Sequence, residues 1–193
     1  SAGADSTYLA YVMAAMCSSG DHHLVYFNHG QRPDAIPTEI AHIQALGKEL
    51  GMQVHIIELT IQKVTQDGFR AARLEALSVL CKKINVSTVF LGHHLDDDLE
   101  TFWMQLCKGA TVGLRGIPFC TEYNNMQLLH PLLCLTKTNI LDALQAIGAT
   151  YCTDNSNFKD TYTRNRVRDG IQGLIEQVPN GSLNNGLYAL QYL

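Results

Sequence analysis

Strand-type and helical segments alternate along most of the sequence, and this alternation constrains the fold more than any other feature. Short apolar runs over residues 22–28, 53–59 and 87–92 are typical of buried strands. Helical periodicity occupies the stretches between them, over residues 37–50 and 69–84. Strands separated by helices in this way predict an α/β protein: a parallel sheet, covered by helices on both faces, with right-handed crossovers.

Further elements are predicted on either side of this alternating region. A glycine-rich stretch over residues 109–119 is loop-like, and a hairpin is expected over residues 119–130, turning at Asn124 and Asn125. We interpret residues 1–177 as one domain, and residues 178–193 as a tail or the start of a linker. The other predicted helices cover residues 5–18, 95–107, 136–148 and 164–177.

Three informative loops each follow a predicted or implied strand. They cover residues 1–4, 28–32 and 92–98. Ligands of open parallel sheets bind beyond the carboxyl ends of the strands. The positions of these loops therefore predict one shared site at that edge of the sheet.

The first loop, SAGADS, joins small residues to the start of a helix. Small side chains over residues 1–4 let the backbone approach a ligand, and the helix start offers N–H groups and a positive dipole end. Such a turn is suited to phosphate. Asp5 could hold a metal ion that bridges phosphates. The alternative is an ordinary turn in which Asp5 or Ser6 caps the helix.

The stretch LGHHLDDDLET, residues 91–101, concentrates acidic side chains at the start of a helix. Three aspartates, residues 96–98, and Glu100 fall within five positions. Acids favour a helix N-terminus, but four of them at this spacing repel one another. A cation nearby is therefore expected, either a metal or an amine substrate. His93 and His94 are candidate ligands or general bases, or alternatively pack at the strand end.

Composition limits the remaining classes. A net charge of −4 argues against a surface that attracts nucleic acid everywhere, although FKDTYTRNRVR, residues 158–168, is locally basic. Within it, Arg164 and Arg168 share one helix face, which suits phosphate or is simply solvated. None of the six cysteines forms a C-x-x-C pair, which disfavours zinc ribbons and thiol redox motifs. No apolar run is long enough to span a membrane.

Taken in order, these motifs resemble those of the tRNA(Ile)-lysidine synthetase family, a branch of the PP-loop ATPases. SAGADS resembles the family loop S-G-G-x-D-S, and residues 28–32 match N-H-G-x-R. Residues 93–101 match H-H-x-D-D-x-x-E-T, and KGATVGLRGI resembles a basic, glycine-containing stretch. Residues 154–168 match D-x-S-N…R-N-R-x-R, and GFRAARLEAL resembles an arginine-rich helix. The resemblance extends to about residue 175.

This resemblance implies a Rossmann-like PP-loop ATPase fold and a tRNA-modifying reaction in the cytoplasm. ATP would adenylate the 2-keto oxygen of the wobble cytidine in a tRNA(Ile) with a CAU anticodon, releasing pyrophosphate. The ε-amine of free L-lysine would then attack, and AMP would leave. ATP and magnesium are the implied cofactors; no membrane partner is expected, and a homodimer is an open alternative.

The resemblance also assigns roles to individual residues. Asp5, Asp96, Asp97 and Glu100 are the expected catalytic residues, with Asp97 and Glu100 binding lysine and Asp5 binding magnesium. The expected ATP-binding residues are Ser1, Ala2, Gly3, Ala4, Asp5, Ser6, Phe27, Asn28, His29 and His93. The expected contacts with phosphate or tRNA are Arg32, Arg70, Arg73, Arg115, Arg164 and Arg168.

Some features depart from the family pattern. Ala2 replaces the first glycine of the loop, adding a methyl group where backbone should approach phosphate. Lys108 replaces the usual arginine, and the glycine loop after it is longer than the common pattern. The strand that should precede the loop and the family's C-terminal tRNA-binding domains are not in the sequence, so we expect upstream residues in the natural protein.

Three other functions are compatible with the sequence. A tRNA thiolase would use sulfur as the nucleophile, and the missing C-x-x-C pairs disfavour it. A nucleotide-binding module without catalysis is compatible with Ala2. Metal-dependent hydrolysis at His93, His94 and residues 96–98 would require metal but no ATP.

Overall fold

The computed structural model describes residues 2–16, 22–30, 33–59, 65–109 and 115–153. Helices and strands alternate as the sequence predicts. Five α-helices occur in this part of the chain: α1 (Ala4–Met16), α2 (Ile36–Leu50), α3 (Gln66–Ile84), α4 (Leu95–Cys107) and α5 (Lys137–Ala146). Five strands accompany them: β1 (His23–Asn28), β2 (Gln53–Glu58), β3 (Thr88–Phe90), β4 (Cys120–Tyr123) and β5 (Met126–Leu129).

The strands form two sheets. Strands β1 and β2 pair in parallel, with His23 opposite Gln53 and Asn28 opposite Glu58. Strand β5 lies between β3 and β4, parallel to β3 and antiparallel to β4. The α/β class and the parallel pairings are confirmed, but the second sheet is mixed. The predicted hairpin therefore adds strands to the sheet, which its local sequence did not indicate.

Local signals account for most element boundaries. The hairpin turns at Asn124 and Asn125, both with positive φ, as a two-residue turn between twisted strands requires. Helix α5 starts after Thr136, whose hydroxyl accepts the Asn139 N–H at 3.1 Å. Helix α2 ends at Gly51 in the left-handed conformation. A short 3₁₀ helix, Pro131–Cys134, links β5 to α5 and was not predicted.

Helix α3 begins three residues earlier than the periodicity indicates. Thr65 acts as its N-cap and accepts a hydrogen bond from the Gly68 N–H. Strand β3 is shorter than the apolar run over residues 87–92, although the Leu91 N–H still donates to the Leu129 carbonyl at 2.8 Å. These differences move boundaries but not the order of elements.

Apolar clusters fix the helices around the sheets. In one, Ile140 and Leu144 of α5 are fully buried against Ala4 and Leu9 of α1. In a second, Leu77 and Cys81 of α3 pack with Met126 and Leu128 of β5. A third joins Ala2 to Tyr26 and Ile43. The first cluster determines the geometry of the candidate site, because it holds the starts of α1 and α5 side by side.

A cavity of about 360 Å³ lies between β1 and β3. Helices α1 and α3 form its walls, and its lining is mainly apolar, including Leu9, Val25, Leu80 and Val89. Among the described helices, none is both long and apolar enough to cross a membrane. The predicted helix over residues 164–177 lies outside the described residues.

Candidate active site

The opening turn leads directly into α1. The first intrahelical bond runs from the Thr7 N–H to the Gly3 carbonyl at 3.0 Å, so the N–H groups of Ala4 and Asp5 have no intrahelical acceptor. Ala2 is buried with Tyr26 and Ile43, and its carbonyl accepts the Cys152 N–H at 2.9 Å. The additional methyl group of Ala2 therefore packs in the core.

Gly92, after β3, brings the second motif against this turn. A Cβ at Gly92 would lie 3.3 Å from the backbone carbon and oxygen of Asp5. That is closer than most side-chain contacts, so glycine permits the close packing of the two segments. The start of α1 and the start of α4 consequently lie beside each other.

His94 is the point at which the two motifs meet. Its Nε2 lies 3.7 Å from Asp5 Oδ1 and 3.4 Å from Asp97 Oδ2. Its Nδ1 lies 3.2 Å from Asp96 Oδ2, within ion-pair distance but without hydrogen-bond geometry. The imidazole is buried, which by itself lowers its pKa, but the three carboxylates together raise the pKa above the usual value.

Lys137, the first residue of α5, joins the same cluster. Its Nζ lies 2.5 Å from Asp5 Oδ1, and its backbone N–H donates to Asp96 Oδ2 at 2.8 Å. Burial tends to raise the pKa of Asp96, but its contact with His94 and the hydrogen bond from Lys137 lower it overall. Asp96 is therefore held as a carboxylate.

Each aspartate of the acidic run has its own backbone partner. Asp96 accepts from Lys137, and Asp97 accepts the His94 N–H at 3.0 Å, completing the start of α4. Asp98 is buried and accepts the N–H of Ile117, while burial raises its pKa. These contacts offset much of the repulsion that the sequence indicated, so acid crowding alone does not require a bound amine.

His93 points a polar atom into a buried space. Its Nδ1 is buried and has no hydrogen-bond partner among the described residues. Its ring lies 4.9 Å from the ring of His130, whose Nδ1 is 2.9 Å from the Pro118 carbonyl. Burial lowers the pKa of His93 to about 4, although Asp97 opposes this. His93 is thus neutral at pH 7, and its buried Nδ1 has no hydrogen-bond partner among the described residues.

The remaining predicted residues are more dispersed. Phe27 packs against the cluster of Leu77 and Cys81, and the Asn28 side chain accepts the Gly30 N–H at 3.0 Å. His29 contacts Phe69 edge-on, at the start of α3.

Three of the six predicted basic residues lie in the part of the chain that the structure describes. Arg70 and Arg73 are exposed on α3, and their charges contribute to the lowered pKa of His93. Arg115 is exposed, and its N–H donates to Gln105 Oε1. Three of the predicted contacts and one loop residue lie outside the described residues: Arg32, Arg164, Arg168 and Ser1.

Sequence reasoning missed two residues of this site. Lys137 and His130 belong to no predicted motif, whereas the sequence indicates Asp98 as part of the acidic run. A lysine at the start of a helix was a usable signal, because the helix dipole disfavours a cation there. No local pattern pointed to His130.

A magnesium ion fits these residues only if substrate phosphates supply part of its coordination. Among the described residues, no group of three or more His, Cys, Asp or Glu side chains could hold a metal ion. Magnesium, however, is commonly held by one or two carboxylates together with substrate phosphates. Asp5 meets that requirement, because it lies in the first turn of α1, beside the cradle suited to phosphate.

Comparisons with known proteins identify the family of this chain. A family model described as PP-loop domain matches residues 1–174. The tRNA(Ile)-lysidine synthase of Bacillus cereus (strain ATCC 10987 / NRS 248) is 33% identical over 178 residues, which cover 87% of this chain and 37% of that protein. The protein of the same name from Francisella philomiragia is 30% identical over 162 residues, covering 81% of this chain and 40% of that protein.

A solved structure supports the fold. The U34-tRNA thiolase NcsA from Methanococcus maripaludis, with its [4Fe-4S] cluster, aligns with a TM-score of 0.78 at 18% identity. The alignment covers 100% of this chain and 70% of the thiolase. At this identity the likeness concerns the fold alone. The chain spans about two fifths of the length of the two synthases described above.

Proposed function

This chain belongs to the PP-loop domain family, and we propose that it is the catalytic domain of a tRNA(Ile)-lysidine synthetase. The reaction is an ATP-dependent ligation of free L-lysine to the wobble cytidine of a tRNA(Ile) with a CAU anticodon. One observation carries the proposal: Asp5 from the opening turn and Asp97 from the second motif approach the same imidazole, His94. The turn proposed to bind phosphate and the carboxylate proposed to bind lysine are therefore close together.

In the first step, ATP activates the 2-keto oxygen of the base and pyrophosphate leaves. The N–H groups at the start of α1 and the positive end of its dipole stabilise the leaving phosphates. The residues assigned to the nucleotide extend from the turn over residues 2–6 to Asn28, His29 and His93. Magnesium, held by Asp5 and the phosphates, would supply positive charge against them.

In the second step, the lysine amine attacks the activated carbon and AMP leaves. Asp97 and Glu100 are the proposed partners of lysine, and Glu100 is buried while Asp97 is partly accessible. The lowered pKa of Asp96 makes it a poor proton acceptor, so its proposed role is to position the amine and its neighbours.

The test is lysine incorporation into a tRNA(Ile) transcript by the full-length protein, with ATP. Formation of AMP and of lysidine in equal amounts supports the proposal. Sulfur transfer in place of lysine incorporation would instead identify a thiolase. ATP binding without AMP release in the presence of tRNA would indicate a nucleotide-binding module.

A substitution at Asp97 tests the lysine site. Asp97→Asn keeps an oxygen that can accept the His94 N–H, so the start of α4 should persist, but it removes the charge. Loss of that charge should weaken lysine use by about 2–5 kcal/mol while leaving ATP affinity nearly unchanged. KM values for both substrates give the comparison, with Asp142→Asn on exposed α5 surface as the control. Unchanged KM for lysine removes Asp97 from that site.

A further inference from the structure

Lys137 lies where the acidic motifs converge, and none of the motifs discussed above includes it. We propose that its ammonium group binds the β- and γ-phosphates of ATP and then the leaving pyrophosphate, exchanging its contact with Asp5 for phosphate oxygens. This inference rests on the proposed function insofar as ATP is the substrate. It adds a phosphate-binding side chain from α5 to the turn at the start of α1.

The position of Lys137 is fixed by its backbone. Thr136 caps α5 and Asp96 accepts the Lys137 N–H, while Ile140 and Leu144 anchor the helix in the core. The base of the side chain is therefore held next to α1. The four-carbon stem leaves the ammonium group free to change partners within a few ångströms.

The Asp5 contact is suited to exchange. The two side chains remain about a third exposed, so a ligand can reach both of them. Ion pairs with this exposure contribute little to stability, typically below about 1 kcal/mol. A lysine at a helix start is also disfavoured by the dipole, so helix stability does not account for it. Breaking the pair therefore costs little compared with a contact between an ammonium group and several phosphate oxygens.

Local charge explains the need for this lysine. Asp5, Asp96 and Asp97 surround His94. Incoming phosphates would be repelled by these carboxylates unless a cation stood between them. The ammonium group that already contacts Asp5 at 2.5 Å is placed to take that role.

The experiment compares ATP, pyrophosphate and AMP as ligands of the full-length protein by calorimetry. Lys137→Gln should weaken ATP and pyrophosphate binding about 10- to 100-fold, the loss of one charge-assisted contact, and change AMP binding less than about twofold. Lys137→Arg should restore most of the affinity. Lys48→Gln, at an exposed position near the end of α2, is the matched control.

A lysine that merely ties α5 to α1 would behave differently. In that case Lys137→Gln lowers the melting temperature but weakens ATP and AMP equally or not at all, and that outcome overturns the inference. A second measurement avoids variants: an amine-reactive reagent should modify Lys137 in the wild-type protein more slowly with pyrophosphate present, but not with AMP. Equal modification rates under both conditions also overturn it.

The two proposals fail separately. A wild-type protein that shows this ligand pattern but forms no lysidine refutes the proposed function and leaves Lys137 as a phosphate-binding residue. A protein that forms lysidine while Lys137→Gln binds ATP normally refutes the inference alone. A wild-type protein that binds neither ATP nor pyrophosphate refutes both.

Discussion

Individual aspartates in the acidic run of α4 serve different purposes. Asp97 completes the start of its own helix, Asp96 reaches across to α5, and Asp98 holds the segment at Ile117. Identical side chains at neighbouring positions thus make three distinct connections, because successive helical positions point in different directions. The consequence is that substitutions at these positions should have separable effects.

Gly116 is predicted to be intolerant of any side chain. A Cβ there would overlap the carboxylate of Asp98, which cannot move aside because it is buried and bonded to Ile117. Gly116→Ala should lower the free energy of unfolding by about 1–3 kcal/mol in urea denaturation. In the double variant Asp98→Ser/Gly116→Ala the smaller side chain relieves the overlap, so the two losses should not add. Strict additivity would show that the two residues do not compete for space.

His93 should make the protein sensitive to acid. Its pKa is lowered in the folded state, from 6.5 to about 4, so the unfolded chain binds the additional proton between these values. The free energy of unfolding is therefore undiminished by His93 above pH 6.5, and it decreases by about 2–3 kcal/mol as pH falls towards 4. Asp97 opposes this shift, while His130, Arg70 and Arg73 reinforce it.

The check on His93 is the free energy of unfolding between pH 7 and pH 4. His93→Gln should flatten the dependence of the unfolding free energy on pH. His130→Gln is the control, because burial also lowers the pKa of His130 and its contribution has to be separated from that of His93. A profile as steep in His93→Gln as in the wild type would place the acid sensitivity elsewhere.

At the scale of elements, the starts of α1, α4 and α5 converge. Gly92 lets α4 approach α1, and the buried cluster of Leu9, Ile140 and Leu144 holds α5 against α1. Three positive dipole ends then face one region, which favours the carboxylates found there and suits phosphate. The site is therefore built from helix ends, and its geometry depends on how those helices begin.

The cap of α5 offers a test at this scale. Thr136→Ala removes the hydroxyl that accepts the Asn139 N–H and should cost about 1 kcal/mol of stability. Because Lys137 follows directly, ATP affinity should fall as well. Thr138→Ala, at an exposed position of the same helix, serves as the control in thermal unfolding and ATP titration. Equal effects of the two substitutions would mean that the cap does not set the position of Lys137.

At the scale of the whole molecule, helices join two sheets that share no described strand pairing. Leu77 and Cys81 of α3 pack with Phe27 of β1 and with Val89 of β3. A cavity separates β1 from β3. Among the described residues, the two sheets are therefore connected by this side-chain packing and not by hydrogen bonds between strands.

Net charge leads to a prediction about tRNA. The 193 residues carry a net charge of −4, and their evident basic stretch, residues 158–168, can reach only a few phosphates. Each neutralised phosphate of a duplex contributes a salt slope of about 0.9 log units. These residues alone should therefore bind tRNA weakly and with strong dependence on salt, while ATP binding persists.

A salt titration of tRNA affinity, on this chain and on the full-length protein, measures the difference. The full-length protein should bind more tightly, because linked modules raise the effective concentration. Equal affinities would show that this domain carries tRNA recognition by itself.

The sequence by itself determined the order and type of the elements. Helix α4 has the bounds that its periodicity predicts, and the hairpin turns at Asn124 and Asn125. These features depend on interactions within a few residues, such as turn conformations and caps, and short-range patterns encode them directly. The motifs, and the family that they resemble, could likewise be identified from the sequence.

Only the tertiary structure decided the partners of the charged groups. Lys137 meets Asp96, 41 residues away, and Asp5, 132 residues away. Asp98 and Gly116 depend on each other across a loop, and His130 reaches His93 through the pairing of β5 with β3. Such pairs carry no local signal, because they arise when packed helices and paired strands bring distant residues together. The repulsion between neighbouring acids could be read from the sequence, whereas the groups that relieve it depend on the fold.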